Sequence, residues 1–495
     1  MTKGKSKFDK KCFLKILGIV LLFSICLFPY NYCSDIYNVI DVGYWEYAKQ
    51  WFAPAGRTVG MGLLFFLECI NLPIKIYIFI MKIFAVLIAT VTIYIFYNMV
   101  LETMKYNEEN HNYNKKCVFI SVIITILNMA SYQFFYYAES AIMWLGVLLT
   151  VLAVKLVIKE NDKLRYLKGF MLLFIAMNCY QSTILFFIPA ALLFLGIKKN
   201  KVRNIIFESI KLSIIVGICL LYGYIIIQGL TEYFQIIPFR DNNMIFKPEI
   251  ILNVMCNLIN QKHDKNYYSF MYLLINVISI LGMIVISDKS VRNKKLIALI
   301  TIFFIIMSAF LQTVGIIAFV DYYIATRIEF VYLATLGMNM LFFMMYTKIF
   351  DYKKNIKLCY LLVIVYLIYI ILQANYISIV NRYVRDKDDE EGNVIAQAVE
   401  NYEKTNNRKI TQVIYCYDNY PNNDCLNVKH YGDPTFRIFA GQWVLKSALN
   451  YYTGKDLKVF QNQYIFEDIF KATNYDKFDK EQIQFNGNTM YLCIY

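Results

Sequence analysis

The chain has 495 residues, 58% of them hydrophobic and 17% aromatic, with a formal net charge of +14. So apolar a composition gives no mark of a soluble or secreted protein. The positive balance does not argue for nucleic acid, because the lysines and arginines sit at the borders of apolar runs, where anionic headgroups attract them.

About 20 apolar residues cross a bilayer core as a helix, and runs near that length recur from Phe13 to Ile377. They predict spans near 12–30, 73–100, 117–134, 140–158, 168–180, 182–197, 206–228, 269–287, 296–320, 328–347 and 358–377. The fold class is therefore an all-α polytopic membrane protein of about 11 transmembrane helices, or about 9 if 117–158 or 168–197 is a broken or re-entrant pair. The first run has a basic flank and no small-residue cleavage site, and reads as a retained signal anchor. Gly56 to Asn71 is apolar as well, but a span there would invert the next basic cluster, so it is placed as an interfacial or re-entrant helix within an outer loop over 31–72.

Basic residues alternate from loop to loop. Clusters at Lys3–Lys11, at Lys105, Lys115 and Lys116, at Lys159–Lys168, at Lys198–Arg203, at Lys289–Lys295 and at Lys348–Lys357 are assigned to the cytoplasm. The N-terminus is then cytoplasmic, and a second outer loop covers 229–268 with Arg240, Lys247, Lys262 and Lys265. The division is a transmembrane domain over 1–380 and an extracytoplasmic tail over 381–495, where charge and turn residues replace continuous apolar stretches. Within the tail, Gly392–Lys404 and Phe439–Tyr452 read as helices, the second ended by Gly454, and Ile410–Tyr417, Leu457–Phe460 and Met490–Tyr495 as strands, giving a small α/β domain. Cys416 and Cys425 are the candidates for a disulfide there; free thiols are the alternative. No Cys/His metal spacing and no carboxylate cluster with ligand spacing is present, so no cofactor is expected and metal dependence stays open.

Ionisable residues gather on the outer side. The first outer segment holds Asp35, Asp41, Glu46, Lys49 and Arg57 among Tyr44, Trp45, Tyr47, Trp51 and Phe52. Aromatics among charges are also what an interfacial belt contains. Further outer groups follow: Tyr136, Tyr137 and Glu139 between two spans, Tyr180 and Gln181, then Asp321 and Arg327 at another helix end.

At these residues the chain resembles the Gtr-type glucosyltransferases, the glucosyltransferase II family. Asp41 with the closing Trp51-Phe52-Ala53-Pro54-Ala55-Gly56-Arg57 is similar to that family's aspartate and Trp/Gly-Arg element. Tyr136 through Met143 resembles its aromatic, acidic, Ser and Met string, Cys179-Tyr180-Gln181 its Tyr-Gln element, and Arg327 its late arginine. Order and sidedness agree over roughly residues 12–405; the departures are Ile40 where a paired aspartate is usual and Glu139 where Asp is commoner. The resemblance implies a GT-C-like membrane glycosyltransferase that moves a sugar from a polyprenyl-phosphate donor to a surface glycan on the outer face.

Such a reaction needs a base, a cation for the leaving phosphate and aromatic surfaces for sugar rings. Asp41 is the candidate base, Glu139 orients the sugar or an arginine, and Arg327 or Arg57 holds the phosphate through paired hydrogen bonds. Asp35, Trp51, Tyr136, Tyr180 and Gln181 complete the candidate substrate contacts. A polysaccharide polymerase or ligase acting on lipid-linked glycans is the alternative, kept open by the basic loop at 229–268. A secondary transporter ranks third, because the charges lie at helix ends rather than at the midplane.

Overall fold

The computed structural model describes residues 8–28, 32–105, 115–159, 162–198, 202–236, 276–277, 279–281, 292–319, 326–346, 353–418, 433–475 and 477–495. The basic positions of the outer loop 229–268, most of the expected span 269–287, Asp321 and Cys425 lie outside those residues. The chain divides into two compact units. The first comprises 1–28, 48–66 and 76–374, and the second 29–47, 67–75 and 375–495.

The helices follow the apolar runs. They are α1 (Lys10–Ser24), α2 (Ser34–Val42), α3 (Thr58–Cys69), α4 (Ile74–Lys105), α5 (Lys115–Ile126), α6 (Ser140–Val157), α7 (Arg165–Cys179), α8 (Phe187–Lys198), α9 (Val202–Tyr233), α10 (Arg292–Phe319), α11 (Phe330–Tyr346) and α12 (Lys353–Asn406). Among the described residues, five helical stretches are long and apolar enough to cross a membrane: Ile74–Met104, Ser140–Val157, Gln181–Lys198, Val202–Tyr233 and Val363–Asn406. About 11 spans are expected; of the other apolar stretches, Thr58–Cys69, Ala298–Gln312 and Phe330–Phe343 are shorter. The span expected over 117–134 stops at Ile126 for a local reason. The Asn128 side-chain oxygen accepts from the Ala130 and Ser131 amides at 3.1 Å, so these donors close a turn instead of continuing the helix.

In the first unit α5 packs on α11, α6 on α7, and α10 on both α8 and α11. Between apolar helices in lipid the attraction comes from close packing, which small residues permit. Gly337 on α11 is the tightest case. A Cβ there would lie 2.5 Å from the Ser121 carbonyl oxygen and 2.6 Å from the Thr125 amide nitrogen, both backbone atoms of α5.

The second unit holds the sheet β2-β1-β4-β3, in which β1 (Gln412–Tyr417) runs parallel to β2 (Lys458–Gln461) and β4 (Thr489–Ile494), and β3 (Ile483–Asn486) is antiparallel to β4. Side-chain alternation sorts the two faces. Val413, Tyr415, Met490, Leu492 and Ile494 pack with Ile395 and Val399 of α12 and with Val444, Leu445, Ala448 and Leu449 of α13 (Gln442–Thr453). Cys416 and Cys493 face the other way, against Ile465, Phe466 and Phe470. Cys425, the candidate partner of Cys416, lies outside the described residues; Cys416 stands opposite Cys493 in register, both as thiols. The hydrogen bond with Cys416, together with burial, pushes the Cys493 thiol above its ordinary range.

One element is added to those read from the sequence, and two of them merge. The hairpin strand β3 was not anticipated, although its turn carries the signal Asn486-Gly487-Asn488, with Gly487 at φ +60°. The expected span 358–377 and the expected helix Gly392–Lys404 are one helix, α12, of 54 residues. At 1.5 Å per residue it is far longer than a bilayer core, so its polar C-terminal part lies beyond any span. Gly392 does not break it, because the ring of Tyr452 packs where a side chain would stand.

A buried charge network ties α12 to the end of the sheet. Arg437 is fully buried and pairs with Glu391 and with Asp388 (3.5 Å), while Arg385 pairs with Asp388 at 3.0 Å. Tyr495 donates its hydroxyl to Glu391, and its carbonyl accepts from Arg437 at 2.5 Å. Burial pushes the Glu391 carboxyl up to about 7, against the pull of Arg437.

Candidate active site

Arg57 is placed by a chain reversal. Residues Ala48–Phe52 form a π-helical turn, Gly56 takes the left-handed conformation at φ +62°, and the Arg57 amide returns to the Phe52 carbonyl at 3.0 Å. A residue with a Cβ is strained at that φ, and at Gly56 it would also meet Ile227 at 2.8 Å. The Gln181 side-chain amide donates to the Ala55 carbonyl, and the Thr58 hydroxyl donates to Asn178 at 2.6 Å, so the reversal is held from both sides.

Glu139 is the N-cap residue of α6, where its carboxylate meets the positive end of the helix dipole. It is 5% exposed and pairs with Arg57 at 3.5 Å. The Arg57 guanidinium also lies 4.7 Å from the ring centroid of Tyr180 and 5.5 Å from that of Phe52.

Tyr180 closes α7 in an extended conformation (φ −162°), which turns its side chain out of the helix register. Its hydroxyl accepts from Arg327 Nε at 2.6 Å. Arg327 sits in a short 3₁₀ turn (Thr326–Glu329) ahead of α11 and donates through Nη1 to the Tyr137 hydroxyl, with its guanidinium 4.6 Å from that ring's centroid. Its amide donates to Gln133 Oε1 at 3.1 Å. One tyrosine thus engages two arginines, one on its face and one on its hydroxyl, and the second arginine is seated on a second tyrosine.

The structure brings together Arg57, Glu139, Tyr180, Gln181 and Arg327 of the expected residues, all in the first unit. Tyr136 packs edge-on against Tyr137 at 5.2 Å, and it is Tyr137 that takes the arginine. Trp51 lies in the π-helical turn. Asp35 and Asp41 belong to the second unit, on α2. There both Asp41 oxygens accept from α13, from Ser447 Oγ at 3.0 Å and Asn450 Nδ2 at 2.7 Å. Gln133 is the site residue that the sequence reading missed, and Tyr137, named there in the outer group, was given no role of its own; the signal for Gln133 was a polar residue at the end of an apolar run, close to the tyrosine pair.

The family model for glucosyl transferase GtrII matches residues 60–345, more than half of the chain. The chain belongs to the GtrII glucosyl transferase family. Three of the four resembling elements, those at Tyr136–Met143, Cys179–Gln181 and Arg327, fall inside the matched stretch, and Asp41 and Arg57 precede it. Neither the curated proteins nor the solved structures give a match. Membership in the GtrII family carries the reaction class, glycosyl transfer.

Proposed function

We propose that this GtrII glucosyl transferase moves a hexose, glucose, from a polyprenyl-phosphate donor to a surface glycan on the outer face of the membrane. The observation that carries the reading is the pair of arginines gathered on Tyr180 beside a buried carboxylate. Two planar guanidinium groups suit a phosphate monoester leaving group, whose oxygens accept paired hydrogen bonds. The tyrosines hold the arginines by ring-face and hydroxyl contacts, and a phosphate arriving at the headgroup plane meets donors that are already oriented.

In this reading the acceptor hydroxyl attacks the anomeric carbon as the bond to the phosphate oxygen breaks, through an oxocarbenium-like transition state. The polyprenyl phosphate departs onto Arg327 and Arg57, and Asp41 takes the acceptor proton. Glu139 fixes Arg57, and Trp51, Tyr136 and Tyr180 offer ring faces to sugars, with Asp35 and Gln181 as further polar contacts. About 11 spans, a cytoplasmic N-terminus and an extracytoplasmic tail belong to the same reading, supported by the alternating basic loops. Reporter fusions after Lys354 should report cytoplasm and those near Asn450 the outside; a cytoplasmic tail would remove the outer site.

Mass spectrometry of surface glycans from cells with and without the chain tests the function. Loss of one hexose per repeat is the expected result. Shortened chains of unchanged repeat would show polymerisation instead and refute the reading.

A further inference from the structure

Several buried polar groups around the arginine pair have no hydrogen-bond partner among the described residues, Arg57 Nε and Ser182 Oγ included, and three of them are neutral groups on fully buried side chains. They are Gln133 Nε2, Ser140 Oγ and Trp144 Nε1, on side chains that are each 0% exposed. The orientation of the Gln133 amide is set by its other end, since Oε1 accepts the Arg327 amide. Ser140 opens α6 directly after Glu139, and Trp144 follows it by one helical turn on the same face.

These groups are joined to the arginines by a continuous row of rings. Trp144 meets Phe134 edge-on at 5.8 Å and Phe134 meets Tyr180 at 6.0 Å, while Phe135 lies 4.9 Å from Trp144. Aromatic rings therefore lead from Trp144 to the tyrosine that holds both arginines. Buried donors are almost always satisfied in folded proteins, so donors left over in a cluster point to a bound acceptor.

Resting on the function proposed above, we propose that Gln133, Ser140 and Trp144 are specificity-determining residues that donate hydrogen bonds to the transferred sugar. All three are neutral, whereas the phosphate is matched by the two guanidinium groups next to them. A hexose bonded to phosphate carries hydroxyl and ring oxygens that accept from such donors, and its ring faces fit aromatic rings. A site built on hydrogen bonds to hydroxyls rejects sugars in which one hydroxyl is missing or inverted, because its buried donors are then unpaired.

Full-length protein in purified membranes, assayed with polyprenyl phosphate glucose, its single deoxy analogues and the galactose epimer, tests the assignment. Ser140→Ala keeps volume and carries the test; Trp144→Phe removes the indole N–H with a smaller ring, and Gln133→Met, which keeps the length of the side chain, is the third variant. Each should lower kcat/KM for the glucose donor by roughly 3- to 10-fold, the loss expected for one neutral hydrogen bond. Each should also show no further loss with the one deoxy donor that lacks its own hydroxyl partner, and should discriminate less against the epimer. The same factor lost with every donor would show that the groups hold only water or packing and would overturn the assignment. So would unchanged kinetics in all three variants. A wild-type protein that transfers from none of the donors would overturn the donor reading itself, and the assignment with it.

Discussion

Replacing Asp41 by Asn separates two roles for that carboxylate. Its oxygens accept from Ser447 at 3.0 Å and from Asn450 at 2.7 Å, so it clasps α2 to α13 whether or not it acts in catalysis. Asn keeps one oxygen for one of these donors and turns an NH₂ toward the other. If the clasp were its whole role, the cost would be one hydrogen bond to a charged group, about 1.5–3 kcal/mol of stability, with turnover per folded molecule unchanged. If Asp41 is the base, transfer falls by roughly 10² to 10⁴, which is about 3–5 kcal/mol of barrier. The assay is hexose transfer from polyprenyl phosphate glucose in purified membranes, normalised to the monodisperse protein recovered, with donor binding measured in parallel. Ser447→Ala and Asn450→Ala are the controls: each removes one donor to Asp41, lowers the melting temperature and leaves the carboxylate able to accept a proton. Donor binding should persist in Asp41→Asn while transfer collapses, and the two controls should keep transfer. Wild-type turnover per folded molecule in Asp41→Asn would refute the reasoning, and a dead Glu139→Gln beside it would move the base to the α6 N-terminus.

Three further outcomes are expected. Arg327→Lys keeps the charge but cannot bond both the Tyr180 and Tyr137 hydroxyls in one plane, so transfer should fall on the order of 10-fold or more while the protein still accumulates in the membrane; normal turnover would remove Arg327 from the site. Gly337→Ala drives a methyl into the α5 backbone, and should cost about 1–3 kcal/mol or more, seen as a lower melting temperature in detergent; an unchanged value would mean that α5 and α11 separate easily. Burial raises the Glu391 carboxyl from 4.5 to about 7, so the folded state holds this proton more tightly than the unfolded chain. Its stabilising contribution is complete below about 4.5 and is lost as pH rises through about 7, an effect of at most about 3 kcal/mol. The other charges facing it are Arg437, Arg385 and Asp388, and Glu391→Gln should flatten that part of the melting-temperature profile while the wild type declines across it.

What the sequence determined by itself was the local part. Apolar runs of the right length became helices at nearly the places expected, from Ile74–Lys105 to Phe330–Tyr346, because helix formation answers to neighbouring residues and apolar residues have few alternatives in lipid. Alternation in the tail placed three of four strands, and the fourth was overlooked despite its Asn-Gly turn. The change of character near Asn381 was legible too, but it marked a change in composition along one continuous helix and not a break, since the helix contains no proline and its one glycine, Gly392, has the Tyr452 ring packed beside it. The four outer elements carrying Asp41, Glu139, Tyr180 and Arg327 could be recognised by type and order. Their pairing could not. Arg327 reaches tyrosines 147 and 190 residues away, and the choice of Tyr137 over its neighbour Tyr136 depends on which side of a short turn faces the 3₁₀ segment before α11. Likewise, Asp41 is bound by residues more than 400 positions later, and Cys416 stands opposite Cys493 only because β1 and β4 run parallel in one register. Contacts across such distances depend on how whole helices and strands pack, and no local pattern encodes them.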